Sequence, residues 1–116
     1  MADKTRRLII GISGASGVIY GIRALQLLRD TDVETHLVMS KSAEMTMGYE
    51  VKIKPSAVRE LADVAHAIGD VGASISSGSF NTMGMLVLPC SIRTMSEISS
   101  GVTSSLLSRA ADVVLK

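Results

Sequence analysis

A loop rich in glycine and serine is the stretch of this sequence whose residue types and spacing best suit chemistry. The apolar run 8–12 leads into Gly11, Ser13, Gly14, Ser16 and Gly17, and a helical pattern of apolar residues follows at once. Glycines let a backbone approach a phosphate closely, and the N–H groups at the start of the helix would point at that phosphate. Ser13 occupies the second glycine position of the dinucleotide fingerprint, and no Gly-Lys-Ser/Thr follows as in a Walker loop. The loop therefore predicts a mononucleotide phosphate site. A tight strand-to-helix turn without a ligand is the alternative.

Two further loops carry hydroxyl groups at the expected ends of strands. Ser40 and Ser42 follow the second predicted strand, and Ser91 and Thr94 follow the third. Ligands of parallel α/β sheets bind beyond the carboxyl ends of the strands, so the three loops should meet at one edge of the sheet. Hydroxyl groups gathered there would suit a phosphate and a polar ring system. The alternative is that each serine only caps the helix that follows it.

Three charged side chains are further candidates for chemistry. Glu50 follows the methionine-rich segment 45–47, and a carboxylate beside apolar groups suits proton transfer. Arg109 and Lys116 lie seven residues apart on the last predicted helix, so they would share a face and could meet an anion. For each of the three, the alternative is an ordinary position on the solvated surface.

The cysteine and the histidines predict neither a thiol nucleophile nor a metal site. Cys90 ends the third predicted strand, where a cysteine is commonly just buried, and no histidine lies near it in sequence. His36 is expected on a strand face and His66 at the end of a helix, both in structural or solvent-facing roles. Their spacing does not fit metal ligands, so we expect no metal. A single cysteine rules out an internal disulfide.

The elements that must position these residues alternate between strands and helices. Strands are predicted at 8–12, 33–39 and 83–88, and helices at 17–29, from 41 after the Ser40 cap, from Pro55 to about 66, from Ser91 to Gly101, and at 102–114. This alternation predicts an α/β fold with a parallel sheet and right-handed crossovers. Three strands are few for a doubly wound sheet, so we expect the pattern to be the first part of a domain, whose remainder either is absent or is supplied by a partner chain.

Composition narrows the class of protein further. The 116 residues suit one domain, 1–116, and 47% of them are hydrophobic with few aromatics, which predicts an aliphatic core. A net charge of +1 argues against a nucleic-acid surface. No apolar run approaches the roughly 20 residues needed to span a membrane. A cytoplasmic protein is the expectation.

The motifs together resemble one family along nearly the whole sequence. The matching stretches are GISGASGVIYGIR, VETHLVMSK, ASISSGSF, LPCSIRT and SRAADVVLK, in this order and spacing. The chain resembles the flavin prenyltransferase family, the UbiX-like proteins. The resemblance implies a Rossmann-like or flavodoxin-like three-layer fold that binds FMN, assembled as a homo-oligomer, normally a dodecamer. It also implies length beyond Lys116, with another core strand and further residues that bind the prenyl phosphate.

The reaction and the residue roles are likewise what the resemblance implies. A dimethylallyl group would pass from dimethylallyl phosphate to N5 and C6 of reduced FMN, and a UbiD-type decarboxylase would receive the prenylated FMN, as in ubiquinone biosynthesis. An FMN-binding subunit of an aromatic-acid decarboxylase, without transferase activity, is the alternative. Ser16 and Glu50 would be catalytic, and Arg109 and Lys116 would bind the prenyl phosphate. The FMN-binding residues would be Gly14, Ala15, Ser16, Ser40, Ser91, Ile92, Arg93 and Thr94.

Overall fold

A computed structural model describes residues 6–116 as a parallel sheet between two layers of helix and loop. In chain order the elements are β1 (Arg6–Ile12), α1 (Val18–Leu28), β2 (Val33–Met39), α2 (Lys41–Glu50), α3 (Pro55–Leu61), β3 (Val64–His66), β4 (Met85–Val87), α4 (Ile92–Ser100) and α5 (Leu106–Leu115). One 3-10 turn, Ser74–Ser76, precedes β4. The strand order is β3-β2-β1-β4, and every pairing is parallel. This confirms the predicted α/β class.

The core lies on both faces of the sheet because β1 and β2 are apolar on both faces. Ile10 and Leu37 pack on one side against α1, α2 and α3. Ile9 and Val38 pack on the other side against α5 and the 3-10 turn. Neighbouring residues of a strand point to opposite faces, so a continuous apolar run is the expected pattern for such a strand. The three-layer arrangement follows from that pattern.

The placement of His66 at the end of a helix was wrong. Helix α3 ends at Leu61, and His66 is the last residue of β3, a short strand paired with β2. The chain forms a strand here because two hydrogen bonds join Thr35 and Asp63. The Thr35 N–H donates to Asp63 Oδ2 at 2.8 Å, and the Asp63 N–H donates to Thr35 Oγ1 at 3.0 Å. These two hydrogen bonds bring the chain alongside β2, and the sheet therefore has a fourth strand, β3.

The last helix begins later than predicted. Val102 was expected on it, but Gly101 ends α4 in the left-handed conformation at φ 76°, and α5 starts only at Leu106. Ser105 is the N-cap of α5, because its hydroxyl accepts from the Ser108 N–H and Ser108 reciprocates on the Ser105 backbone N–H. This capping box sets the boundary. No helix within residues 6–116 has both the length and the apolarity to cross a membrane.

Candidate functional site

The three hydroxyl-rich loops meet at the carboxyl edge of the sheet, as predicted. The Ser40 N–H donates to the Ile12 carbonyl at 3.0 Å, which joins the loops after β1 and β2. The Ser13 N–H donates to the Pro89 carbonyl at 3.2 Å, which joins the loops after β1 and β4. Because parallel strands end at the same edge, residues distant in sequence come together there.

A cavity of about 630 Å³ lies between these loops, and we call it the serine cavity. Of the residues predicted to bind FMN, it is lined by Gly14, Ser40, Ser91, Arg93 and Thr94. The rest of the lining consists of Lys41, Ser42, Ile68, Gly69, Val71, Glu97, Ser104, Ser105 and Leu107, and of these only Ser42 was expected at this edge, from its place in the loop after β2. The segment 68–71 was missed because it follows β3, a strand of three residues that is too short to be recognised. The wall is therefore rich in hydroxyl groups, with three apolar side chains.

Three helices begin at the serine cavity, and each is capped by a serine: α2 by Ser40, α4 by Ser91 and α5 by Ser105. Ser40 Oγ accepts from the Ala43 N–H at 3.0 Å at the start of α2. Ser91 Oγ accepts from the Thr94 N–H at 3.1 Å at the start of α4, and the Ser91 hydroxyl donates to Thr94 Oγ1 at 2.9 Å. These serines thus act as helix caps as well as lining residues. Helix N-termini carry partial positive charge, so all three favour an anion in the cavity.

Charged side chains at the rim add to this field. Lys41 lines the cavity and is exposed to solvent. Arg93 lies 3.5 Å from Glu97 through its Nε and Oε2 atoms, and its side chain is 84% exposed. The Ser104 hydroxyl donates to the same Glu97 oxygen at 2.9 Å. The exposed guanidinium can therefore turn toward a ligand at little cost, because surface ion pairs of this kind are weak.

Gly14 packs so tightly that no other residue fits without movement. A Cβ built on it would lie 2.3 Å from the Cβ of Ser42 and 2.8 Å from the Ser42 carbonyl carbon. Distances that short are repulsive, and the second atom belongs to the backbone. Glycine here lets the first loop lie directly on the first turn of α2, which closes one end of the serine cavity.

Ser16 and Glu50 lie together but outside the serine cavity. They line a second cavity of about 770 Å³, the Glu50 cavity, with Gly17, Ile19, Tyr20 and Val51. Glu50 Oε1 accepts from the Gly17 N–H at 3.0 Å and from the Val18 N–H at 3.4 Å. Gly17 is the N-cap of α1, with φ 99°, and has no side chain that could accept from the first N–H groups of the helix. The Glu50 carboxylate accepts from them instead. The expectation that these N–H groups point at a phosphate was wrong.

The remaining predicted residues do not line either cavity. Ala15 is half-buried, and its N–H donates to the Ser13 carbonyl at 3.0 Å. Ile92 is 76% exposed at the start of α4. Arg109 is exposed on α5, and Lys116 Nζ lies 3.0 Å from Asp112 Oδ2. Their assigned roles stay predictions.

The cysteine and the two histidines do not line either cavity. Cys90 is exposed rather than buried as expected, since it follows β4 at the rim, and partial burial still raises the pKa of its thiol. His36 Nδ1 lies 2.9 Å from His66 Nε2, and the rings stack with centroids 5.2 Å apart. His36 is buried, and its Nε2 atom lies 2.6 Å from Glu34 Oε1. Burial, together with the nearby His36, lowers the pKa of His66, and Asp70 opposes this.

Comparison with known proteins decides the family. The sequence model described as Flavoprotein matches residues 1–116. The chain belongs to the flavoprotein family. Within it the chain is UbiX-like, being 61% identical over 112 residues to the flavin prenyltransferase UbiX of Escherichia coli (strain K12). That alignment covers 96% of this chain and 59% of the relative. The UbiX-like chain thus spans about three-fifths of the length of the curated relatives it matches.

Solved structures show the same fold. AnUbiX (PadA1), in complex with FMN and dimethylallyl pyrophosphate, superposes with a TM-score of 0.93 at 52% identity, over 95% of this chain and 58% of that one. A dodecameric FMN-dependent Ubix-like decarboxylase from Escherichia coli O157:H7 gives a TM-score of 0.92 at 49% identity, over 94% and 60% of the two chains. Both likenesses confirm the predicted flavodoxin-like three-layer arrangement for the UbiX-like chain.

Proposed function

We propose that this chain binds FMN as part of a flavin prenyltransferase, which moves a dimethylallyl group from dimethylallyl phosphate to reduced FMN. The observation that carries the proposal is the serine cavity, where three loops and three helix N-termini converge. The relative named flavin prenyltransferase UbiX and the AnUbiX structure with FMN and dimethylallyl pyrophosphate support it.

The serine cavity fits FMN in size and in chemistry. Its volume of about 630 Å³ lies within the range of roughly 300–1,000 Å³ typical of small-molecule sites. Hydroxyl groups, the cations Lys41 and Arg93, and helix N-termini suit a phosphate, while Ile68, Val71 and Leu107 offer an apolar wall for a ring system. Acidic lining is confined to Glu97 among the described residues, and that carboxylate already faces Arg93.

Each group of residues has a distinct task in this proposal. Gly14, Ser40, Ser91 and Thr94 would bind and orient the flavin, with Ala15, Ile92 and Arg93 beside them. Reduced FMN supplies nucleophilic N5 and C6 atoms when bound. Ser16 and Glu50 share the second cavity, where Glu50 would hold or move a proton.

The prenyl phosphate and the partner proteins complete the proposal. Arg109 and Lys116 are exposed cations on one helix, where positive charge would stabilise a departing phosphate. A UbiD-type decarboxylase would take up the product, in ubiquinone synthesis or a related pathway, and the chain would assemble as a homo-oligomer. The dodecameric relative supports the assembly. A cytoplasmic location stays a prediction.

A second candidate function is an FMN-binding subunit of an aromatic-acid decarboxylase without transferase activity. One observation favours it, because the proposed catalytic pair Ser16 and Glu50 lines a different cavity from the predicted FMN-binding residues Gly14, Ser40, Ser91, Arg93 and Thr94. The relative described as an FMN-dependent Ubix-like decarboxylase is named in that sense. Under this candidate the serine cavity would still bind FMN, and no prenyl adduct would form.

A flavin titration followed by a transfer assay tests both candidates. Saturable quenching of FMN fluorescence by the purified chain is expected, and riboflavin, which lacks the phosphate, should bind at least about tenfold more weakly. Reduced FMN and dimethylallyl phosphate are then incubated with a version of the chain as long as the relatives, and the flavin is examined by mass spectrometry. A prenyl adduct supports the transferase, binding without an adduct supports the subunit, and absence of binding contradicts both.

A further inference from the structure

The Ser13 hydroxyl is buried at the end of β1 and joins two of the loops that form the serine cavity. Its residue is 1% exposed, and it does not line the cavity. Ser13 Oγ donates to the Pro89 carbonyl at 2.7 Å and accepts from the Ser91 N–H at 2.7 Å. Neither the names of the relatives nor the functional residues proposed for this chain give the Ser13 side chain a role.

A short chain of hydrogen bonds leads from Ser13 to the cavity wall. The Ser91 N–H donates to Ser13, and the Ser91 side chain then receives the Thr94 N–H at 3.1 Å and donates to Thr94 Oγ1 at 2.9 Å. Ser91 and Thr94 line the cavity, whereas Ser13 lies behind them. Ser13 therefore fixes where the first turn of α4 presents its hydroxyl and N–H groups.

The effect of Ser13 should be local, because other bonds hold the two strands together. Gly11 pairs with Val87 in the ladder between β1 and β4, and the Leu88 N–H donates to the Gly11 carbonyl at 2.9 Å. The ladder ends there. Beyond it, the loop to Ser91 is held to Ser13 by the backbone bond from the Ser13 N–H to the Pro89 carbonyl at 3.2 Å and by the two bonds of the Ser13 hydroxyl. Loss of the hydroxyl would release the Ser91 N–H, while the sheet and the backbone bond to Pro89 stay in place.

We infer that Ser13 is a positioning residue for ligand binding, which acts through Ser91 and Thr94 and does not touch the ligand. The inference rests on the proposed function in one respect, the identity of the ligand as FMN. The attachment of Ser91 to Ser13 is a property of the unliganded chain. The two can therefore be tested separately.

The experiment compares three variants of the full 116-residue chain by FMN titration. Ser13→Ala should raise the Kd for FMN about tenfold, and Ser13→Thr, which restores the hydroxyl, should stay within about threefold of the original chain. Thr31→Val is the control, since the Thr31 hydroxyl also bonds two backbone groups, donating to the Leu28 carbonyl at 2.7 Å and accepting from the Val33 N–H at 3.2 Å, at the opposite end of β2 from Ser40. It should lower the melting temperature without changing the Kd.

Amide hydrogen exchange, measured without ligand, provides a readout that a general loss of stability does not reproduce. In the original chain the Ser91 N–H should be protected. In Ser13→Ala, exchange at Ser91 and Thr94 should accelerate at least about tenfold, while amides of β2 keep their protection. An unprotected Ser91 N–H in the original chain would overturn the inference even if Ser13→Ala does not fold.

The outcomes separate the two claims. If the original chain does not bind FMN, the proposed function fails and the exchange data alone decide the role of Ser13. If Ser13→Ala binds FMN as tightly as the original chain, or if Thr31→Val weakens binding equally, Ser13 is not a positioning residue. Selective weakening by Ser13→Ala with rescue by Ser13→Thr supports it.

Discussion

Glu50 caps a helix 33 residues away in sequence, and replacing it measures what this contact contributes to stability. Its Oε1 accepts from the Gly17 N–H at 3.0 Å and the Val18 N–H at 3.4 Å. A side-chain cap contributes about 1 kcal/mol, and a negative charge at a helix N-terminus about 0.5 kcal/mol. Because one bond is long and Glu50 is exposed, Glu50→Ala should lower the free energy of unfolding by about 1 kcal/mol in total. Glu50→Gln keeps an acceptor oxygen and should lose only about 0.5 kcal/mol.

Urea unfolding followed by circular dichroism measures these differences through the midpoint and the slope. In about 1 M NaCl the Debye length falls to about 3 Å, so the gap between Glu50 and the Gln variant should shrink while the gap between Gln and Ala persists. Glu60→Ala is the control, since Glu60 is exposed and uses its backbone carbonyl to accept from Arg29. It should change stability by less than about 0.5 kcal/mol. Equal losses for Glu50→Ala and Glu50→Gln, or no loss for either, would refute the capping argument.

Three further predictions address other parts of the molecule. Gly14→Ala forces a methyl group against Ser42, and should cost about 1–3 kcal/mol in thermal unfolding and weaken FMN binding in the fluorescence titration. Burial and His36 lower the pKa of His66 from its ordinary value of 6.5, so the unfolded chain takes up the proton first on acidification. The free energy of unfolding should therefore fall as the pH drops through 6.5 and level off below the native pKa, as urea titrations at each pH would record. Ser16 is exposed, so Ser16→Ala should leave the melting temperature unchanged while slowing prenyl transfer in a version as long as the relatives.

Controls keep these predictions specific. Gly48→Ala is matched to Gly14→Ala, because a Cβ at Gly48 would meet nothing within 4 Å, and it should be tolerated. His66→Gln should flatten the pH dependence between about pH 6.5 and the native pKa, and an unchanged profile would mean that another group titrates. Unchanged prenyl transfer in Ser16→Ala would make Ser16 a turn residue only.

The fold could be predicted wherever one local signal sufficed. The apolar runs of β1 and β2 are explained by burial on both faces, and Ser40 and Ser91 mark helix starts because their hydroxyl groups cap the first turn. Strand β3 could not be predicted because it is only three residues long. The apolar residues that lead into it recur at helical spacing, so the segment has the pattern of a helix end. Its position depends on the hydrogen bonds between Thr35 and Asp63, two residues that are far apart in sequence.

The site could be predicted only in part for the same reason. Membership of the serine cavity follows from strand ends, so Gly14, Ser40 and Ser91 were found from local pattern and resemblance. The contact between Glu50 and the start of α1 depends on how α2 lies across the sheet, and no local pattern contains it. The task of Ser13 is likewise tertiary, because a serine in a glycine-rich turn gives no sign of a partner 78 residues away.

Helix α2 connects the two cavities, and its length explains why they are separate. Ser40 caps its first turn at the serine cavity, and Glu50 is its last residue, at the Glu50 cavity. Ten helical residues rise about 15 Å, so the two ends lie too far apart for one side chain to serve both. The first loop lies between the two cavities, since Gly14 lines the serine cavity and Ser16, two residues later, lines the Glu50 cavity. Changes at Glu50 should thus act on proton transfer and on the stability of α1, and changes at Gly14 or Ser13 on flavin affinity.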